Sequence, residues 1–194
     1  NQDPTAYDKL AEDVTMTPTM LSGNYTVSDN FGNYSIALLN CPLDEEGYIT
    51  GAGELVKFEL LTTPSSAMNT NDIAGEYTIA SIMDGPYNPG SFLSGVLYEY
   101  YSQYFPMGTY YSAYDENGSA LNMYGFATGG SVKVTTDGTN VTFDADFETE
   151  SGKHVKINYT GDASGIVDYS QSSSYGAPAA KNDVAKLRPI GAVN

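Results

Sequence analysis

The chain has one cysteine, one histidine and no tryptophan. A lone Cys41 excludes an intrachain disulfide and a cysteine-based zinc site. It closes the apolar run at residues 36–39 and reads as a small buried hydrophobe. A thiol nucleophile needs a base, and His154 lies far away in sequence. Gly-x-Ser-x-Gly is also absent, so nucleophilic catalysis has few parts to work with. Basic residues are scarce, 8 against 24 acidic ones, for a net charge of −16. Such a surface repels phosphate backbones and anionic membrane faces, so nucleic acid is excluded as a partner and a neutral or cationic one is favoured. No apolar run reaches the roughly 18 residues of a membrane-spanning helix. The glycines at 51, 53, 129 and 130 precede strand patterns and not helices, which excludes a phosphate cradle.

What the chain does have is tyrosine, 17 residues of it, with 20 glycines. A phrase of glycine, a polar residue and tyrosine recurs at Gly23, Gly32, Gly75 and Gly108. Glycine frees the backbone to turn, and the residues after it favour an extended chain, so each copy marks a strand start. From Tyr25 onward the period is two: Val56, Phe58 and Leu60 alternate with Lys57 and Glu59, and Tyr77 and Ile79 with Thr78 and Ala80. That is the pattern of strands with one buried and one wet face. Strands are expected over 24–28, 33–40, 53–62, 75–82 and 91–101, followed by a meander over 108–161.

Turn chemistry sets the register of that meander. Asn117-Gly118 and Asp137-Gly138 read as two-residue hairpin turns. The first places Tyr114 opposite Leu121 and Ser112 opposite Met123; the second places Val134 opposite Val141 and Val132 opposite Phe143. Glu150-Ser151-Gly152 reads as a three-residue loop with Gly152 left-handed, setting Phe147 against Val155, Ala145 against Ile157 and Phe143 against Tyr159. The fold expected is all-β, an antiparallel β-sandwich of about ten strands with meander hairpins. The alternative is a closed up-and-down β-barrel. Residues 1–22 read as an N-terminal tether, with Asp3-Pro4 opening a short helix through Leu10 and Ala11 as the other option. Residues 23–164 form the β domain, with a weak internal duplication over 23–101 and 102–164. Residues 165–194 are a Ser-, Tyr- and Gly-rich connector, with an edge strand over 184–193.

Few side chains are marked for chemistry. Asp144, Asp146 and Glu148 share one strand face, and the register sets them opposite Asn158, Lys156 and His154 as cross-strand pairs on a solvated face. Asp44-Glu45-Glu46 with Asp29 or Asp84 matches no calcium-loop spacing, so no metal and no cofactor is expected. The sequons at Asn24, Asn33, Asn117, Asn140 and Asn158 fit the Asn and Ser/Thr content of turns and strand edges. The aromatic cluster is the exception. Tyr98, Tyr100, Tyr101 and Tyr104 crowd one segment, and alternation cannot bury them all; Tyr87 beside Asn88-Pro89 joins them. A flat apolar ring with a polar tip suits stacking on a sugar or a protein surface, so these five are the candidate ligand-binding residues.

Gly108-Thr109-Tyr110, Gly129-Gly130-Ser131-Val132-Lys133-Val134, Val141-Thr142-Phe143-Asp144, Gly152-Lys153-His154-Val155 and Asn158-Tyr159-Thr160-Gly161 follow one another in order. In this succession the chain resembles the β-rich surface lipoproteins and secreted domains of Bacteroidetes, many of unassigned function. The resemblance implies an exported protein of the outer surface, lipid-anchored through a cysteine ahead of Asn1. Three functions follow as expectations: a non-enzymatic binder of a glycan or surface protein, a structural or adhesive surface component, and a glycoside hydrolase using two carboxylates.

Overall fold

The computed structural model describes residues 6–171. Asp3-Pro4 and the edge strand expected over 184–193 lie outside the described residues. The described chain is all-β, with no α-helix. Its strands are β1 (Asp8–Lys9), β2 (Val14–Met16), β3 (Met20–Val27), β4 (Gly32–Leu39), β5 (Gly53–Thr62), β6 (Gly75–Ala80), β7 (Ser91–Leu93), β8 (Val96–Tyr100), β9 (Gln103–Met107), β10 (Tyr110–Tyr114), β11 (Ala120–Thr136), β12 (Asn140–Thr149), β13 (His154–Asp162) and β14 (Ile166–Asp168).

Two long strands organise the sheet. β10 bridges β5 to β11 at one end, and β7 with β6 bridges them at the other, closing a ring of five strands. The closed barrel anticipated as the alternative is therefore present. Its connectivity includes a parallel pair, β6 with β7. Sandwich character survives in two wings: β4, β3 and β14 continue from β5, while β12, β13 and β2 continue from β11. Their inner faces meet where Phe58 of β5 stacks on Phe143 of β12, ring centroids 5.4 Å apart.

The N-terminal segment is no free tether or helix over its described residues. β1 pairs parallel to β11 and β2 pairs parallel to β13. Leu10 is buried in the core, Ser151 donates to its carbonyl, and the Tyr7 hydroxyl donates to Glu150. At the other end β14 pairs with β3 at residues 166–168, where a connector was expected.

Alternation sends side chains to two cores. Val56, Phe58 and Leu60 enter the main one between the wings, with Tyr34, Ile36, Phe143 and Phe147. Leu55 points the other way into a second cluster with Leu39, Cys41, Tyr110, Tyr114, Tyr124 and Phe126. Cys41 is buried there and its thiol pKa is pushed up to about 11, mainly by desolvation, as suits a hydrophobe rather than a nucleophile. Partly buried Tyr7, Leu43, Leu97 and Tyr104 pack against this second core.

The hairpin register holds in one place and shifts in two. The Gly152 loop forms as read, with Gly152 at φ 82°, and pairs Phe147 with Val155, Ala145 with Ile157 and Phe143 with Tyr159. At Asp137 the carboxylate accepts from the backbone N–H of Thr139 and Asn140, and the pairing becomes Val134 with Phe143 and Val132 with Ala145. That slip of two residues leaves the same side chains inside. At Asn117-Gly118 the Asp115 carboxylate accepts from the N–H of Asn117 and Ser119, and a three-residue loop replaces the two-residue turn. The loop sets Tyr114 opposite Ala120 and not Leu121; a bulge between Ser112 and Tyr114 then carries the register the other way, so that Ser112 pairs with Tyr124 and not Met123. Each pair departs from the expected one by a single residue, in opposite directions, and the faces reverse: Tyr124 is buried and Leu121 is 50% exposed.

Candidate functional site

The outer face of β4 and β5 divides into two halves. One lies under the second core. The other carries Asn33 and Leu61, then Ser35 and Glu59 as cross-strand pairs, and ends at Lys57, whose partner Ala37 belongs to the second core. This second half floors a cleft of about 310 Å³. Its walls are apolar, formed by Phe31, Ile82, Tyr87, Leu93 and Met107. The volume stands at the lower end of the range for small-molecule sites, about 300–1,000 Å³.

The floor is polar and fully organised. Glu59 is nearly buried; Lys57 Nζ lies 2.9 Å from its Oε1, Asn33 Nδ2 donates to its Oε2 at 2.9 Å, and Ser35 Oγ donates at 2.6–2.7 Å. These donors offset the desolvation of a carboxylate at the base of a sheet. On the wall, the Tyr87 hydroxyl donates to the Ile82 carbonyl, which holds the ring upright, and the Phe31 ring lies 6.3 Å away.

The β8–β9 hairpin stands beside this cleft as its own two-stranded sheet. Paired residues point to the same side of a ribbon. Leu97 and Tyr104 anchor one side to the second core. The other side carries Val96 with Met107, Tyr98 with Phe105 and Tyr100 with Gln103. Met107 also lines the cleft, so this aromatic face runs outward from it. Tyr98 is 42% exposed and Tyr100 58%. The turn is closed by Tyr101 and Ser102 at φ 48° and 61°, left-handed values that side chains with a Cβ rarely adopt. Tyr101 is 84% exposed at the tip and its ring packs edge-on against Tyr100 at 4.5 Å.

Of the tyrosines singled out in the sequence, the structure places Tyr87 on the cleft wall, Tyr98 and Tyr100 on the hairpin face that begins at the cleft residue Met107, and Tyr101 at the hairpin tip. Tyr104 is set apart on the anchored side. Sequence reasoning missed Asn33, Lys57 and Glu59. Alternation placed Lys57 and Glu59 on the wet face but carried no sign that this face is concave.

A second, larger groove of about 760 Å³ runs between β3 and β13, past Leu21, Leu43, Tyr159 and Asp162. Of its three carboxylates, Asp162 accepts from the Ser164 N–H and Asp44 from the N–H groups of Glu46 and Tyr48, and Glu45 is the third. Tyr159 is its one aromatic lining residue, against Phe31 and Tyr87 in the smaller cleft, which is the better-built site. On the far sheet face, Asp146 and Glu148 pair with Lys156 and His154 as the register required. His154 Nδ1 reaches Asp146 Oδ1 at 2.7 Å, and that bond raises the imidazole pKa. No family model, no curated protein and no solved structure matches the chain.

Proposed function

We propose that this is an exported, surface-anchored, non-enzymatic protein that binds a glycan in the cleft over β4 and β5 and along the tyrosine face of the β8–β9 hairpin. One observation carries the reading: an anchored hairpin presents Tyr98 and Tyr100 to solvent, with half-buried Phe105 between them and the Met107 edge of a cleft that has aromatic walls and a hydrogen-bonding floor. Sugars offer apolar ring faces and polar rims, and this surface offers the complement of both. The strained turn supports it as well. Asn-Gly closes such a hairpin without strain. Tyrosine at that corner costs about 1–2 kcal/mol of backbone energy, and the ring packs on Tyr100, itself exposed, rather than on the core, which fits a residue kept for contact. Glycoside hydrolysis is less well supported, because a carboxylate pair is required. Glu59 is the one carboxylate lining the cleft, and its oxygens are already engaged.

Screening the pure protein on a glycan array tests this. The wild-type chain should bind a defined set of glycans. Tyr98→Ala combined with Tyr100→Ala should weaken that binding about tenfold to a hundredfold, the worth of two aromatic contacts. Unchanged binding by the double variant would defeat the site assignment. Absence of any glycan ligand, with self-association that the same variant abolishes, would favour the adhesive alternative.

A further inference from the structure

The cleft floor narrows the class of sugar, an inference that rests on the glycan-binding reading. Glu59 is saturated: Lys57, Asn33 and Ser35 all point their donors at its carboxylate. It therefore has little capacity left for a ligand. Lys57 differs. An ammonium carries three donors, and among the described residues Glu59 is its one ionic partner. Its side chain is 20% exposed, into the cleft. Asn33, which also lines the cleft, spends its amide N–H groups on Glu59 and the Leu60 carbonyl, which leaves the Oδ1 as its remaining acceptor. The floor thus holds the Lys57 donor and the Asn33 amide beside a carboxylate whose oxygens are already engaged.

Charge decides between sugars. Lys57 and Glu59 cancel locally, and the chain around them carries a net charge of −16. An acidic sugar entering this cleft meets no surplus positive charge and a repulsive surrounding field. A neutral pyranose meets no such penalty, and its vicinal hydroxyls both donate and accept. We infer that the cleft selects uncharged hexopyranose units over uronic or sialic acids, with Lys57 as the ligand-contacting specificity determinant and Glu59 as a positioning residue that also neutralises it.

The test uses the full chain against neutral, uronate-containing and sialylated oligosaccharides, with affinities measured by calorimetry. Wild-type protein should prefer the neutral set by at least tenfold. Lys57→Met should weaken neutral binding about tenfold, and Lys57→Arg should restore most of it. Glu59→Gln keeps the side-chain shape but leaves the ammonium unneutralised, so the preference should move toward uronates by about tenfold. A Glu59 that served the fold alone would leave that ratio unchanged. If Glu59→Gln fails to fold by circular dichroism, the Lys57 pair carries the test. Neutral binding that is indifferent to Lys57, or a wild-type preference for acidic sugars, overturns the inference while the glycan-binding reading stands. A wild-type chain that binds no glycan at all overturns both.

Discussion

Phe58→Ala is expected to lower folding stability by about 3–5 kcal/mol. The ring is fully buried, stacked on Phe143 at 5.4 Å and edge-on to Phe147 at 6.2 Å. Phe58 sits on β5 and its two partners on β12, so the contact joins the two wings rather than neighbours within one. Interiors are packed to crystal density and relax only partly around a missing ring, so a void adds to the lost burial. For a domain of this size the expected fall in Tm is about 10 °C or more. Chemical denaturation followed by circular dichroism measures it. Leu121→Ala is the control. Leu121 is half exposed, so its truncation should change stability by no more than about 0.5 kcal/mol. Similar losses at both positions would mean that the wings do not meet as described.

Gly108→Ala should be as damaging, for a different reason. Gly108 has φ 78°, and an added Cβ would lie 1.9 Å from the Ser94 carbonyl oxygen. That atom belongs to the backbone, and the strands on both sides are tied down: Thr109 N–H donates to the Leu93 carbonyl and Gly95 N–H to the Ala127 carbonyl. No side-chain rotation relieves the clash. Gly152 isolates the effect, because it has a similar φ of 82° with nothing within 4 Å of an added Cβ. Gly152→Ala should therefore cost about 1–2 kcal/mol of backbone strain alone. Gly108→Ala should cost clearly more and displace Met107, so that any glycan affinity falls with it. Equal losses in the two variants would show that the approach to Ser94 is looser than the structure has it.

The all-β class and most strand positions were legible because they rest on local periodicity. The Gly152 loop was read correctly since its geometry follows from one left-handed glycine. Asn117-Gly118 misled because a neighbour outside the turn decided it: the Asp115 carboxylate recruits two backbone N–H groups and lengthens the loop. That loop and a bulge between Ser112 and Tyr114, opposite which Asn122 takes φ 56°, together put Leu121 out and Tyr124 in. Ring closure was less visible. It depends on β6, β7 and β10 spanning the gap between β5 and β11, and no local pattern encodes those pairings. The same holds for β1, β2 and β14, two or three residues each and paired in parallel with distant strands. In the cleft, tyrosine density marked the hairpin. The polar floor stayed hidden because its concavity comes from Tyr87 and Met107, which are remote in sequence from Lys57 and Glu59.

The most direct test of the account is to locate a bound oligosaccharide by titrating it into isotopically labelled protein and mapping the shifts by NMR. Binding is expected to move the resonances of Asn33, Lys57, Tyr87, Tyr98 and Tyr100 together, with the far sheet face around Asp146 unchanged. Shifts confined to the groove at Leu21, Asp44 and Tyr159, with the tyrosine face silent, would contradict it.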